Sequence, residues 1–106
     1  MSGSRIITGA EDRLDNIHPG DVLREDFLIG SEIPVLEVSE AAGIPLPDLN
    51  RLLRGERSVD ADTDLRLSRY FGVSEGFFLR LQNAFDLEEV RRSRGSDLDR
   101  IVPRAA

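Results

Sequence analysis

The chain has 106 residues, enough for one domain with a single small core. It contains no cysteine and one histidine, which excludes a disulfide framework and disfavours thiolate or imidazole metal sites, so we expect no metal and no cofactor. No apolar run approaches the length of a membrane span or a signal-peptide core. The composition therefore predicts a cytoplasmic protein without a membrane partner.

The formal net charge of -6 disfavours a generic nucleic-acid binder, but the charge is unevenly distributed. Residues 1–43 carry three arginines against nine acidic residues, whereas residues 44–57 carry three arginines against two acidic residues. All basic residues are arginines, which suit bidentate contacts to phosphates and bases. A slight local excess of positive charge predicts weak non-specific DNA binding by one protomer.

The first part of the chain divides into a tail and a helix. Residues 1–17 are polar and poorly patterned, so they predict an N-terminal tail that precedes a domain at residues 18–94. His18, Pro19 and Gly20 then interrupt the chain, and residues 21–29 predict the first helix. We interpret His18 as a structural residue of this turn, because no second histidine, cysteine or nucleophile accompanies it.

Residues 35–55 have the pattern of a helix-turn-helix. Residues 35–42 predict the second helix, on which Val38 and Ala42 share a face. Gly43 follows where two packed helices require a sharp turn. Residues 46–54 predict the third helix, in which Leu49, Leu52 and Leu53 recur at helical spacing and face inward. In helix-turn-helix proteins this helix lies in the DNA major groove.

The outward residues of the third helix are the candidate contacts to double-stranded operator DNA. Asn50 matches adenine, and Arg51 matches guanine or phosphate. Arg54 and Arg57 are better suited to phosphate contacts. A solvated helix face is the alternative interpretation, and the complete helix-turn-helix pattern around these residues favours DNA contact.

A fourth helix is predicted at Ala61–Phe71, capped by Asp60 and stopped by Gly72. Asp60, Asp62 and Asp64 resemble the start of a calcium loop, but the glycine and terminal glutamate of that motif are absent. We interpret these acids as favourable charges in the first turn of a helix.

Ser74 is the predicted cap of a fifth helix that begins at Glu75 and ends at Gly95-Ser96. One apolar arc of this helix can serve the core, and a second arc contains Leu79, Leu87 and Val90. This second arc indicates a homodimer interface, unless the helix bends near Asp86 and buries both arcs in its own protomer. Residues 95–106 predict a C-terminal tail that either frays or adds an edge strand.

Three stretches carry a resemblance to a known family: HPGDVLREDFL at 18–28, VSEAAGI at 38–44, and LNRLLRGERSVDADTDLRLSRYFGVSEGFFLRLQNAFDLE at 49–88. Together they resemble the HigA antitoxins, which belong to the Xre-type helix-turn-helix class. The resemblance implies an all-α, five-helix fold like that of the lambda repressor. It also implies a dimer that represses its own operon and neutralises a HigB toxin, a RelE-like mRNA endonuclease.

The DNA-reading positions implied by the resemblance are Leu46, Pro47, Asp48, Asn50 and Arg51. The first three depart from the polar or basic residues common in the family. Leu46 can offer apolar contact alone, and Asp48 would repel phosphate and accept hydrogen bonds from a base donor such as cytosine N4. The operator sequence therefore cannot be predicted, whereas an acidic chain would still be attracted electrostatically to a cationic toxin.

Two other classes of function can be distinguished from an antitoxin. An orphan Xre-type transcriptional regulator would have the same fold but no toxin partner, and the neighbouring gene would separate the two. An enzyme is rejected, because the sequence shows no phosphate loop, nucleophile elbow or metal cluster and therefore no candidate catalytic residue.

Overall fold

A computed structural model describes residues 15–105, and every regular element in that range is helical. Helix α1 joins an α-helical turn to a π-helical segment, and four α-helices follow. Their bounds are Pro19–Val22 and Leu23–Ile29 for α1, Val35–Ala42 for α2, Leu46–Leu53 for α3, Ala61–Phe71 for α4 and Phe77–Asp99 for α5. The predicted all-α, five-helix architecture is confirmed. Residues 1–14 of the predicted N-terminal tail and the last residue of the predicted C-terminal tail lie outside the described range.

Helix α1 begins at Pro19, two residues before the predicted start. Proline suits the first helical position, where its missing N–H has no partner within the helix. The His18 Nδ1 atom accepts a hydrogen bond from the Gly20 N–H at 2.9 Å. In return, the His18 N–H donates to the Asp21 carboxylate at 3.2 Å. The prediction that His18 is a structural residue of this turn is therefore confirmed.

Burial lowers the pKa of His18 from its usual value, and the nearby charges of Asp21 and Asp86 oppose that shift. The neutral imidazole is also the form that can accept from Gly20, so protonation removes the cap. Because the folded-state pKa is lowered, this contribution to stability is complete above the unfolded-state pKa and is lost as pH falls through the folded-state pKa.

We therefore expect the melting temperature to fall between pH 7.5 and 5.5, an interval in which histidine protonates and most carboxylates stay ionised. His18→Asn is the matched variant, since asparagine also accepts at an N-cap but does not titrate. Thermal unfolding at several pH values should show a smaller decrease for this variant. Equal decreases in both proteins would exclude His18 as the source.

The bounds of α2 and α4 agree with the sequence prediction, and α3 ends at Leu53, one residue before the predicted end. These helices surround one core, and its members are all less than a tenth exposed. The core residues are Leu23, Leu28, Val38, Ala42, Ile44, Leu49, Leu52, Val59, Leu67 and Phe78. The Phe27 ring packs against this core, and its centroid lies 4.8 Å from that of the Phe71 ring. This contact joins α1 to α4.

The predicted start of α5 is wrong, because the helix begins at Phe77 and Ser74 does not cap it. The cap comes instead from Asp64 in α4. Its carboxylate accepts hydrogen bonds from the backbone N–H groups of Gly76, Phe78 and Leu79, at 2.7, 2.8 and 3.0 Å. Asp64 is 1 % exposed. The helix start is therefore set by a residue that lies in another helix.

The end of α5 predicted at Gly95-Ser96 lies beside a kink rather than at the end of the helix. Arg94 has a non-helical backbone conformation, and a further helical segment continues to Asp99. The backbone around Asp86 is helical, so the helix does not bend at Asp86, as the alternative to a dimer interface required. Residues 101–105 form neither helix nor strand, and Ile101 and Val102 are exposed.

Candidate DNA interface

The turn between α2 and α3 is held by backbone geometry and one side chain. Gly43 has a φ of 72°, in the left-handed region that glycine adopts without a steric penalty. The Ser39 hydroxyl donates to the Ile44 carbonyl at 2.6 Å, and the Ile44 N–H donates to the Ser39 carbonyl at 3.0 Å. These two hydrogen bonds and the conformation of Gly43 fix the angle between α2 and α3.

The inner face of α3 is anchored on α1 and the core. Leu49 and Leu52 are almost completely buried. Gly20 in α1 lies so close to α3 that a Cβ atom there would overlap the Leu52 carbonyl oxygen and lie 2.9 Å from its carbonyl carbon. The backbone of α3 therefore rests directly on α1, which leaves its opposite face toward solvent.

Two arginines from flanking helices hold the ends of this motif. The Arg24 guanidinium in α1 donates to the Leu53 carbonyl at the end of α3, at 2.7 Å. The Arg66 guanidinium in α4 donates to the carbonyls of Ala42 and Gly43 at the end of α2, at 3.2 and 3.4 Å. Neither contact is predictable from the sequence, because each arginine lies more than 20 residues from its partner and no local pattern marks the pair.

All five predicted reading residues lie on α3. Pro47 and Arg51 are exposed, whereas Leu46, Asp48 and Asn50 are half-buried. The structure therefore brings the amide and the guanidinium that can donate to base edges onto one short helix.

Each arginine of the candidate interface is paired with a nearby carboxylate. Arg51 lies 3.7 Å from Asp48, Arg54 lies 3.2 Å from Glu56, and the third pair, Arg57 and Asp60, is 4.0 Å apart. Such exposed pairs contribute little to stability, and DNA phosphates can displace the carboxylates. The Arg57 side chain is 26 % exposed, about half the exposed fraction of the other two.

Hydrogen bonds to α4 and α5 hold the loop that carries Arg57 in place. The Val59 N–H donates to the Gln82 side chain of α5 at 2.8 Å, and Gln82 is buried. Asp60 caps α4, since its carboxylate accepts from the Thr63 N–H at 2.8 Å. These hydrogen bonds to Thr63 lower the pKa of Asp60, so its carboxylate stays ionised beside Arg57. The cap that the sequence predicted is confirmed.

The predicted dimer residues on α5 have different environments. Leu79 is half-buried and packs against the core of its own protomer. Leu87 and Val90 are 58 % and 44 % exposed, one helical turn apart. Of the predicted interface, these two are the residues that a second protomer could cover without repacking the core.

Within residues 15–105, no three side chains of the metal-binding types His, Cys, Asp and Glu form a group suited to an ion. In the same range, none of the helices combines the length and the apolar character that crossing a membrane requires.

No family model matches the sequence. The chain is 32% identical over 97 residues to virulence-associated protein I of Dichelobacter nodosus, which covers 92% of this chain and 89% of that protein. A structure of the Pseudomonas aeruginosa antitoxin HigA with the higBA promoter has 32% identity and a TM-score of 0.79, covering 86% of this chain and 100% of that one. The antitoxin GraA in complex with its operator has 32% identity and a TM-score of 0.78, covering 96% and 99%.

Proposed function

Because the chain belongs to the HigA family of helix-turn-helix antitoxins, we propose that it is the antitoxin of a type II toxin-antitoxin module. It binds double-stranded operator DNA as a homodimer and represses its own operon. It also neutralises a HigB/RelE-like mRNA endonuclease by direct binding. The similar structures HigA and GraA are antitoxins, one solved with promoter DNA and the other with operator DNA.

The observation that carries the DNA-binding role is the placement of α3. Its inner face is buried against α1 and the core, the Arg24 side chain holds its C-terminal end, and the Arg66 side chain holds the turn that precedes it. The helix therefore presents the exposed Arg51, with the half-buried Asn50 beside it, without relying on their own packing. Arg54 and Arg57 follow at its C-terminal end, where they suit phosphates beside the groove.

We predict that Arg51→Ala weakens binding to DNA from the chain's own promoter by roughly 1 to 3 kcal/mol, as expected for loss of a base contact. Gel-shift titration at fixed salt measures the change. Arg69→Ala is the control, because this exposed arginine of α4 carries the same charge but lies outside α3. Equal losses in the two variants, or none in either, would remove Arg51 from the proposed site.

The homodimer is proposed to form across the exposed part of α5. Leu87→Asp replaces an apolar contact with a charge that the partner would have to desolvate, so we expect the dimer dissociation constant to rise at least about tenfold. Sedimentation over a concentration series measures this change. Leu36→Asp on α2 is the control, since Leu36 is similarly exposed at 51 %. An unaltered dimer, or a wild-type monomer, would contradict the proposed interface.

Charge supports the toxin-binding role. An enzyme that cuts RNA needs a cationic surface, and this chain has a net charge of -6, so encounter of the two proteins would be accelerated electrostatically. Co-expression with the product of the neighbouring gene tests this role through growth rescue and co-purification, and a small basic toxin is the product expected there. Promoter binding without a toxin-encoding neighbour would instead identify an orphan Xre-type regulator.

A further inference from the structure

Asp48 is the one acidic residue of α3, and it lies on the face that would enter the DNA groove. Its Oδ1 atom is 3.7 Å from the Arg51 guanidinium, one helical turn further along the same face. The two side chains are 36 % and 51 % exposed. An exposed pair at this separation contributes little to folding, so the ion pair with Arg51 does not by itself account for an acid at this position.

The chemistry of a carboxylate limits what it can contact on DNA. An ionised aspartate has only acceptors, so phosphate oxygens and the guanine N7 and O6 atoms repel it. The donors of the major groove are the exocyclic amino groups of cytosine and adenine. Arg51 has the complementary requirement, because its guanidinium donates to the two guanine acceptors.

We propose that Asp48 is a specificity-determining residue of the DNA interface. It accepts a hydrogen bond from the amino group of a cytosine or an adenine in the operator, and it holds Arg51 on a neighbouring guanine. This inference rests on the proposed DNA-binding function and adds to it the base chemistry that α3 selects. Where the base pair turns an acceptor toward Asp48 instead of this amino group, as when the pair is inverted, the carboxylate stays desolvated and unpaired, which disfavours binding.

Two opposite effects of removing the charge follow from this arrangement. Asp48→Ala removes a repulsive charge from the DNA face, so affinity for unrelated DNA should rise. The same change removes the acceptor that distinguishes amino-bearing bases, so discrimination at one base pair should disappear. A favourable charge in the first turn of a helix, the alternative role for Asp48, would alter the melting temperature but not base preference.

The test uses the full chain and DNA from its own promoter, in which each operator base pair is substituted in turn. Binding of the wild type, Asp48→Ala and Glu56→Ala is measured at fixed salt. Glu56 is the matched control, because its carboxylate pairs with Arg54 just beyond the end of α3. Removing the Glu56 carboxylate changes the charge near the DNA face by the same amount without altering α3.

We expect the wild type to lose about 5- to 150-fold in affinity when the cytosine or adenine is replaced, and Asp48→Ala to lose less than about 3-fold. The base preferred at that position identifies cytosine or adenine as the donor. Glu56→Ala should bind all sequences more tightly while keeping the wild-type preferences.

Unchanged discrimination in Asp48→Ala at every position would overturn the proposal, as would an equal loss of discrimination in Glu56→Ala. In both cases the wild type still selects its operator, and the proposed function stands. A wild type that binds promoter and unrelated DNA equally overturns the DNA-binding function and this inference together.

Discussion

Replacement of Asp64 by alanine is expected to lower the free energy of unfolding by about 3 to 5 kcal/mol, because three backbone N–H groups lose a charged acceptor in a buried site. This is a large fraction of the stability of a small domain. Chemical denaturation monitored by circular dichroism measures it. We also expect the start of α5 to fray, which hydrogen exchange of the Phe78 and Leu79 amides would report.

The matched control is Asp62→Ala in the same turn of α4. Asp62 is exposed and pairs with Arg66 at 2.9 Å, so its loss should cost no more than about 1 kcal/mol. Asp64→Asn should lie between the two, because one carbonyl oxygen remains while the amide N–H₂ faces donors. If Asp64→Ala is as stable as Asp62→Ala, the carboxylate is not what holds α5.

Gly20→Ala is expected to destabilise the domain by about 2 to 3 kcal/mol, the range typical of overpacking. The added Cβ meets the backbone of Leu52 rather than a flexible side chain, so α1 and α3 must separate. Because Leu52 belongs to α3, the helix proposed to contact the bases, promoter affinity should fall as well, even under conditions where the variant is folded. Calorimetry and gel-shift titration on the same preparation measure the two effects.

Gly95→Ala provides the control for this substitution. Gly95 lies in α5, and a Cβ atom added there would have open space around it to at least 4 Å, so alanine should be neutral or stabilise the helix by up to about 1 kcal/mol. Promoter affinity should be unchanged by it. A Gly20→Ala protein with wild-type stability and affinity would show that α1 and α3 can separate without cost, contrary to the close approach of Gly20 and Leu52.

Local signals were sufficient for the middle of the chain. The bounds of α2 and α4 follow from apolar residues at helical spacing and from Gly43 and Gly72, whose left-handed conformations end the two helices. The Asp60 cap is also local, because its partner is three residues away. These features depend on interactions within one or two turns, which residue order alone specifies.

The candidate site could be predicted less completely. The spacing of Leu49 and Leu52 placed Asn50 and Arg51 on the outward face of α3, where the structure has Arg51 exposed but Asn50 half-buried. The arginine side chains that hold the ends of α2 and α3 were not predictable, because Arg66 and Arg24 donate to carbonyls in helices other than their own. Helical periodicity also could not predict that Leu79 packs against the core while Leu87 and Val90 stay exposed, since all three residues lie on one face of α5.

The sequence by itself determined that the chain is a helical, helix-turn-helix protein, because helical periodicity, glycine stops and local caps are short-range effects. Tertiary structure alone decided where α5 begins and which of its apolar residues remain exposed. Asp64 reaches α5 from α4, and the core covers the first turns of α5 but not the turns around Leu87. Both outcomes depend on contacts between residues distant in the chain, which no local pattern encodes.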